Sequence, residues 1–316
     1  MTETVHKITW AFELVAAVLI GTMLPASVGA AAQHESVQVA GQARTYAIHI
    51  PAGPVPPNGF PVVLAFHGGG MRGEQMRKLT RLDAVADQRG FAVVYPDGVD
   101  KHWNDGRSTV RNPQDDVGFV SAIINQLGQR HPIDRGRIYA TGLSNGALFV
   151  ERLACELSQQ IAAIAPVAGT LPSELAADCR PGRPVGILQI GGTADPIMPF
   201  DGGMVADFGG RGEGGAVLSA PQTSAHWAHM NGCGMAVVPE KMTPATLADP
   251  TRIVRLRYPQ CANGGQVIQL TVLGGGHTWP GGPQYARPAL IGLTSRQIDA
   301  SKTLADFFLS LPARSR

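Results

Sequence analysis

The chain is poor in cysteine and in charge, and only one apolar run is long enough to raise the question of a membrane. Four cysteines occur in 316 residues, Cys155, Cys179, Cys233 and Cys261, and none form a C-x-x-C pair, so the usual zinc spacing is missing. An even count in an exported chain predicts two disulfides. Three pairings are open, and Cys155–Cys179 with Cys233–Cys261 is preferred because each closes a modest loop. Charged residues make up only 16%, the net charge is +2, and no long basic run occurs. Neither nucleic acid nor an anionic membrane is therefore implied as a partner, and no partner protein is.

The apolar run, LVAAVLIGTML at 14–24, follows Lys7 and is bounded by Glu13. It is too short for a comfortable transmembrane helix. Small residues at 26–32 suit signal peptidase near Ala30 or Ala32, and no cysteine there could carry a lipid. The expectation is a signal peptide at 1–32, a mature domain at 33–316, and a secreted or periplasmic protein without stable membrane association. No internal repeat, long linker or second domain is visible, and 44% hydrophobic content suffices for one large core.

Within that domain, residues 36–39 and 44–50 alternate as an edge hairpin would. PVVLAF (61–66), FAVVY (91–95), RIYAT (137–141), IAAIAP (161–166), VGILQI (185–190) and VIQLTVL (267–273) read as strands buried on both faces. Helices are expected at 74–88, 116–129, 147–157, 221–230 and 294–311. Strands alternating with helices predict one α/β domain with a mostly parallel sheet. The stretch 202–215 is glycine-rich and is expected to be a surface loop near the site.

The chemistry centres on Gly142-Leu143-Ser144-Asn145-Gly146. A G-x-S-x-G between a strand and a helix is the setting of a nucleophile elbow, whose glycines allow the tight turn that lifts the serine above the sheet. The plain alternative is a strand-to-helix turn with a capping serine. His67-Gly68-Gly69-Gly70 ends the 61–66 strand, as an oxyanion loop does; Gly69 and Asn145 are the expected N–H donors, with Gly70 as substitute for Gly69. His67 is expected to anchor that loop.

A nucleophilic serine needs a base and an acid, in the chain order serine, acid, histidine. Among His226, His229 and His277, only His277 directly follows a strand; the other two fall in the 221–230 helix. Among Asp178, Asp195, Asp201, Asp207 and Asp249, Asp195 is best placed, in the turn after VGILQI. Its alternative is an Asx-turn residue before Pro196. Trp103 and Trp279 are candidates for an aromatic substrate wall or for packing.

Taken together, LAFHGGG (64–70), DDVGFVSAII (115–124), YATGLSNGALFVERLACEL (139–157), IAAIAPVAG (161–169), GGTADPIMPFDGG (191–203), WAHMNGC (227–233) and GGGHTWPGG (274–282) resemble the polyhydroxybutyrate-depolymerase-like esterases, which include feruloyl and acetylxylan esterases of carbohydrate esterase family 1. The resemblance implies an α/β-hydrolase fold, a Ser144–Asp195–His277 triad, the sequential disulfides and acyl transfer without metal or organic cofactor. Gly191 departs from the pattern, since many relatives carry histidine there. The implied substrates are feruloyl, acetyl or hydroxyalkanoate esters. The roughly forty residues after His277 leave no room for a polymer-binding module, which favours soluble esters or oligomers. Two other readings are a prolyl-oligopeptidase-type peptidase, for which no gating domain is seen, and a catalytically silent binding protein.

Overall fold

Runs such as FPVVLAF have no polar face, and the protein gives them none. In the computed structural model, every residue of that strand is buried. The structure describes residues 1–2, 33–207, 213–262 and 265–315. The expected signal peptide, apart from its first two residues, and positions 208–212 of the glycine-rich stretch lie outside the described residues.

The strands are β1 (Gln33–Val39), β2 (Gln42–His49), β3 (Phe60–Phe66), β4 (Ala92–Pro96), β5 (Ile133–Leu143), β6 (Ala163–Val167), β7 (Gly186–Gly192), β8 (Gly203–Met204), β9 (Ala216–Val217), β10 (Glu240–Lys241), β11 (Arg252–Tyr258) and β12 (Val267–Leu273). The helices are α1 (Gly73–Thr80), α2 (Leu82–Arg89), α3 (Asp116–Arg130), α4 (Asn145–Glu156), α5 (Ser173–Asp178), α6 (Ala220–Met230), α7 (Pro288–Ile291) and α8 (Ala300–Ser310).

One sheet runs in the order β1-β2-β4-β3-β5-β6-β7-β12-β11-β10. From β4 to β12 the neighbours are parallel, and antiparallel strands flank both ends. Helices α3, α4 and α6 cover one face, and α1, α2 and α8 the other. Each face carries its own core, the first around Phe66, Phe149 and Trp227, the second around Tyr95, Tyr139 and Phe308. This is the α/β-hydrolase architecture, in a single domain. It brings the C-terminal ends of β3, β5, β7 and β12 to one edge, where ligand crevices of open α/β sheets lie.

Three expectations need correction. The helix at 74–88 is two helices, because Arg81 takes a left-handed backbone (φ 53°) and ends α1 before α2 begins. The closing helix starts at Ala300, not 294. Ahead of it, Gln297 turns its side chain to the backbone of Ala245 and Thr251, and Asp299 caps the helix by accepting from the Lys302 N–H. Strand β11 was not expected, since its RIVRLRY pattern mixes arginines with apolar residues beside a sheet edge. Disulfides join Cys155 to Cys179 and Cys233 to Cys261, closing loops of 24 and 28 residues. Each is worth about 3–4 kcal/mol by unfolded-chain entropy.

One buried carboxyl stands out against this core. Glu151 of α4 is wholly buried. Its Oε2 accepts from Trp227 Nε1 at 2.5 Å, and its Oε1 has no partner among the described residues. Burial pushes its carboxyl up to about 8. The native state therefore holds the proton where the unfolded chain, near the ordinary value of 4.5, has released it. Stability from this group is fully present below about pH 4.5 and is lost as pH rises toward about 8, by roughly 4–5 kcal/mol in total. Glu151→Gln removes the titration. The variant should match the wild type in urea unfolding to within about 2 kcal/mol at pH 4.5, and exceed it by several kcal/mol at pH 9. Parallel stability curves for the two proteins across that range would refute this.

Candidate active site

The turn from β5 into α4 can be made only with glycine on both sides of Ser144. A Cβ on Gly142 would lie 2.2 Å from the Gly146 carbonyl oxygen, and one on Gly146 would lie 2.4 Å from that of Phe66. Between them Ser144 adopts φ 57°, ψ −123°, a conformation that costs a non-glycine residue on the order of 1–3 kcal/mol. Its amide donates to Val167 of β6 (3.1 Å), and its carbonyl accepts from Ala147 and Leu148 in the first turn of α4. The hydroxyl is thus held over the strand ends by backbone bonds alone.

Asp195, three residues beyond β7, has a side chain only 2% exposed. Its Oδ1 accepts from the amides of Ile197 and Met198, both at 2.8 Å. Its Oδ2 accepts from His277 Nδ1 at 2.8 Å. Because a carboxylate only accepts, the His277 proton sits on Nδ1, and Nε2 presents a lone pair. His277 follows β12 and is fixed by its own backbone: its amide donates to Ile291, and its carbonyl accepts from the Tyr285 hydroxyl at 2.6 Å. The Tyr285 contact carried no signal in the sequence.

The oxyanion-type loop after β3 is set by His67. The Gly98 amide donates to His67 Nε2 (3.0 Å), so Nδ1 bears the proton and donates to the Gly68 carbonyl (2.9 Å). The ring is fully buried, and burial lowers its pKa to about 4, which keeps it neutral. A trans peptide sets the Gly69 N–H antiparallel to the Gly68 C=O, so the same bond aims that N–H. Among the described residues, the amides of Gly69 and Asn145 have no acceptor. Gly70 is different: its N–H donates to Lys101 (2.9 Å), so it does not substitute for Gly69.

Asn145 does more with its side chain than its position in the pentapeptide suggests. Oδ1 accepts from the Trp103 amide, while Nδ2 donates to the Trp103 carbonyl and to Asp105 Oδ2. Asp105 in turn holds Arg107 through a bidentate pair. The loop after β4 is thereby tied to the start of α4.

Ser144, His277, Gly69 and Asn145 all line one cavity of about 1010 Å³, with Met71, Leu143, Ile197 and Met198 supplying apolar wall. Trp103 and Trp279 do not line it, and the aromatic-wall reading is corrected. Trp103 is fully buried, stacks on Phe149 and donates its indole N–H to the His67 carbonyl. Trp279 is 1% exposed and donates to Ser301. His226 and His229 lie on α6, away from the cavity lining. Gly191 has only Phe200 within reach of an added Cβ, at 3.7 Å, so its lack of a side chain leaves open space beside the Asp195 turn. The arrangement offers a hydroxyl, a lone-pair imidazole backed by a buried carboxylate, and two unsatisfied amides, on residues that line one volume. Groups of these kinds are the ones that acyl transfer requires.

Comparison with known proteins points to ester hydrolysis. Residues 44–208 match the family described as "Esterase PHB depolymerase". "Putative esterase NocK" of Nocardia uniformis subsp. tsuyamanensis is 36% identical over 281 residues, covering 86% of this chain and 81% of that one. Feruloyl esterase B of Piromyces equi is 28% identical over 240 residues, covering 74% of this chain and 42% of the larger protein. Among solved structures, an acetyl xylan esterase from Aspergillus awamori superposes with a TM-score of 0.58 at 16% identity, over 78% of this chain and 94% of that one, a likeness of fold. The chain belongs to the PHB-depolymerase esterase family and is a carboxylic ester hydrolase of the α/β-hydrolase fold.

Proposed function

We propose that the protein is an exported serine esterase whose triad is Ser144, Asp195 and His277. The observation that carries this reading is the His277–Asp195 bond, which leaves Nε2 as the lone-pair nitrogen of a residue that lines the same cavity as Ser144. His277 Nε2 takes the proton as Ser144 Oγ attacks the ester carbonyl. The Gly69 and Asn145 amides stabilise the oxyanion, and His277 returns the proton to the departing alcohol. A water then attacks the acyl-enzyme with His277 again as base. The substrates are feruloyl or acetyl esters of plant polysaccharide, or hydroxyalkanoate oligomers. The two disulfides support an oxidising compartment, as export through a signal peptide at 1–32 would require.

The test is labelling with a fluorophosphonate probe, followed by peptide mass spectrometry, alongside hydrolysis of methyl ferulate, acetylated xylan, hydroxybutyrate oligomers and short p-nitrophenyl esters. Adduct on the Ser144 peptide and hydrolysis of at least one ester are expected. A protein that neither labels at Ser144 nor cleaves any of them is not a serine esterase.

His67 provides a finer check. His67→Phe keeps a ring against Trp103 but removes the donor that fixes the Gly68 carbonyl. With the Gly69 amide no longer aimed, kcat should fall about 10²–10³-fold while KM stays within about two-fold, because an oxyanion contact is made in the transition state. An equal change in both constants would argue against this role.

A further inference from the structure

A second imidazole in the cavity has no part in the mechanism above. His102 lines the same volume as Ser144 and His277. Its ring edge lies against the oxyanion loop: a Cβ built on Gly69 would stand 2.8 Å from His102 Nε2. The backbone that delivers it is strained. Asp100 and Lys101 are consecutive non-glycine residues with left-handed φ values of 50° and 63°. Two such residues cost a chain that could avoid them, and they persist where surrounding contacts fix them. Here the fixing contacts are the Gly70 amide on the Lys101 carbonyl, the Lys101 amide on the Gly98 carbonyl and Asn112 Nδ2 on the Asp100 carboxylate. The ring has a defined proton as well. Nδ1 lies 3.3 Å from the Asp100 carbonyl oxygen, which can only accept, so in neutral His102 the Nδ1 bears the hydrogen and Nε2 is an acceptor.

We propose that His102 is a specificity-determining residue that accepts a hydrogen bond, through Nε2, from a hydroxyl group of the substrate close to the scissile carbonyl. The inference rests on the serine-esterase reading of the site. An acceptor beside the Gly69 amide reaches a hydroxyl only a few bonds from the reacting carbon. Two sources satisfy that distance, a 3-hydroxyl on the acyl chain and a hydroxyl vicinal to the ester oxygen on a sugar alcohol. A phenolic hydroxyl at the far end of an aromatic acid is too remote. A site that hydrogen-bonds a substrate hydroxyl discriminates against the analogue lacking it, because its own polar group is then left unpaired.

The experiment measures kcat/KM of the full enzyme on matched ester pairs. The acyl arm compares ethyl 3-hydroxybutyrate with ethyl butyrate, and the alcohol arm compares acetyl esters of a vicinal diol with those of its deoxy analogue. Wild type, His102→Phe and His102→Gln are assayed, with Ser144→Ala as blank. The hydroxylated member of one arm should be preferred by the wild type, and that arm names the source. His102→Phe, which retains packing but cannot accept, should lower the preference about ten-fold or more while changing the deoxy ester less than about three-fold. His102→Gln, which can accept, should restore part of it. Ser144-dependent hydrolysis with the same preference in wild type and His102→Phe overturns the proposal and leaves the esterase reading standing. So does a loss shared equally by both members of each pair, which marks His102 as packing only. Absence of Ser144-dependent hydrolysis overturns both.

Discussion

Replacing Ser144 with alanine should reduce ester hydrolysis by about 10⁶-fold in kcat and abolish fluorophosphonate labelling, with no loss of fold. The size follows from the two-step scheme, in which no other group forms the acyl-enzyme. The retained fold follows from the local structure. The bonds that shape the elbow are made by the Ser144 amide and carbonyl, and the glycine contacts on either side are backbone contacts. Alanine keeps all of them and tolerates φ 57° no worse than serine does. Thermal and urea transitions should therefore superimpose on those of the wild type. Residual hydrolysis within a hundred-fold of the wild type would place the nucleophile elsewhere.

Asp195→Asn should cost about 10⁴-fold in kcat, although it changes one atom. The two backbone amides of Ile197 and Met198 need an acceptor and will hold the asparagine oxygen at the Oδ1 position. The NH₂ group then faces His277 Nδ1, where Oδ2 accepted before. A donor there forces the neutral ring to the other tautomer, with hydrogen on Nε2 and no lone pair left there to accept a proton. The loss should appear in kcat with KM nearly unchanged. Proton exchange spectra should move the ring hydrogen from Nδ1 to Nε2. A variant with unaltered tautomer and near wild-type kcat would remove Asp195 from the triad.

Much of the site can be read from sequence because its constraints are local. Gly142 and Gly146 are dictated by contacts within the turn itself, and Asp195 and His277 stand within five residues of strands that show themselves as apolar runs. What could not be read depends on partners distant in sequence. Asn145 is the variable position of the pentapeptide, and its hold on Trp103 and Asp105 spans about forty residues. The Gly70 amide looks available until Lys101 is placed beside it. Trp103 and Trp279 neighbour the site in sequence, but a tryptophan whose N–H finds a buried acceptor belongs to the core. The break at Arg81 has no glycine or proline to announce it, because a left-handed residue of another type is set by packing rather than by its own preference.

The placement of β12 governs when the enzyme comes into being. β12 is the last parallel strand in the chain, and it pairs with β7 to bring His277 to Asp195. Until that pairing closes, Ser144 and Asp195, the proposed nucleophile and acid, belong to a chain in which His277 is not yet in place. Synthesis proceeds from the N-terminus at about 5–20 residues per second, so the elbow emerges several seconds before the strand that arms it. With the proposed triad, a nascent chain is expected to be inert toward esters until β12 is in place. Activity appears as an all-or-none product of completed folding.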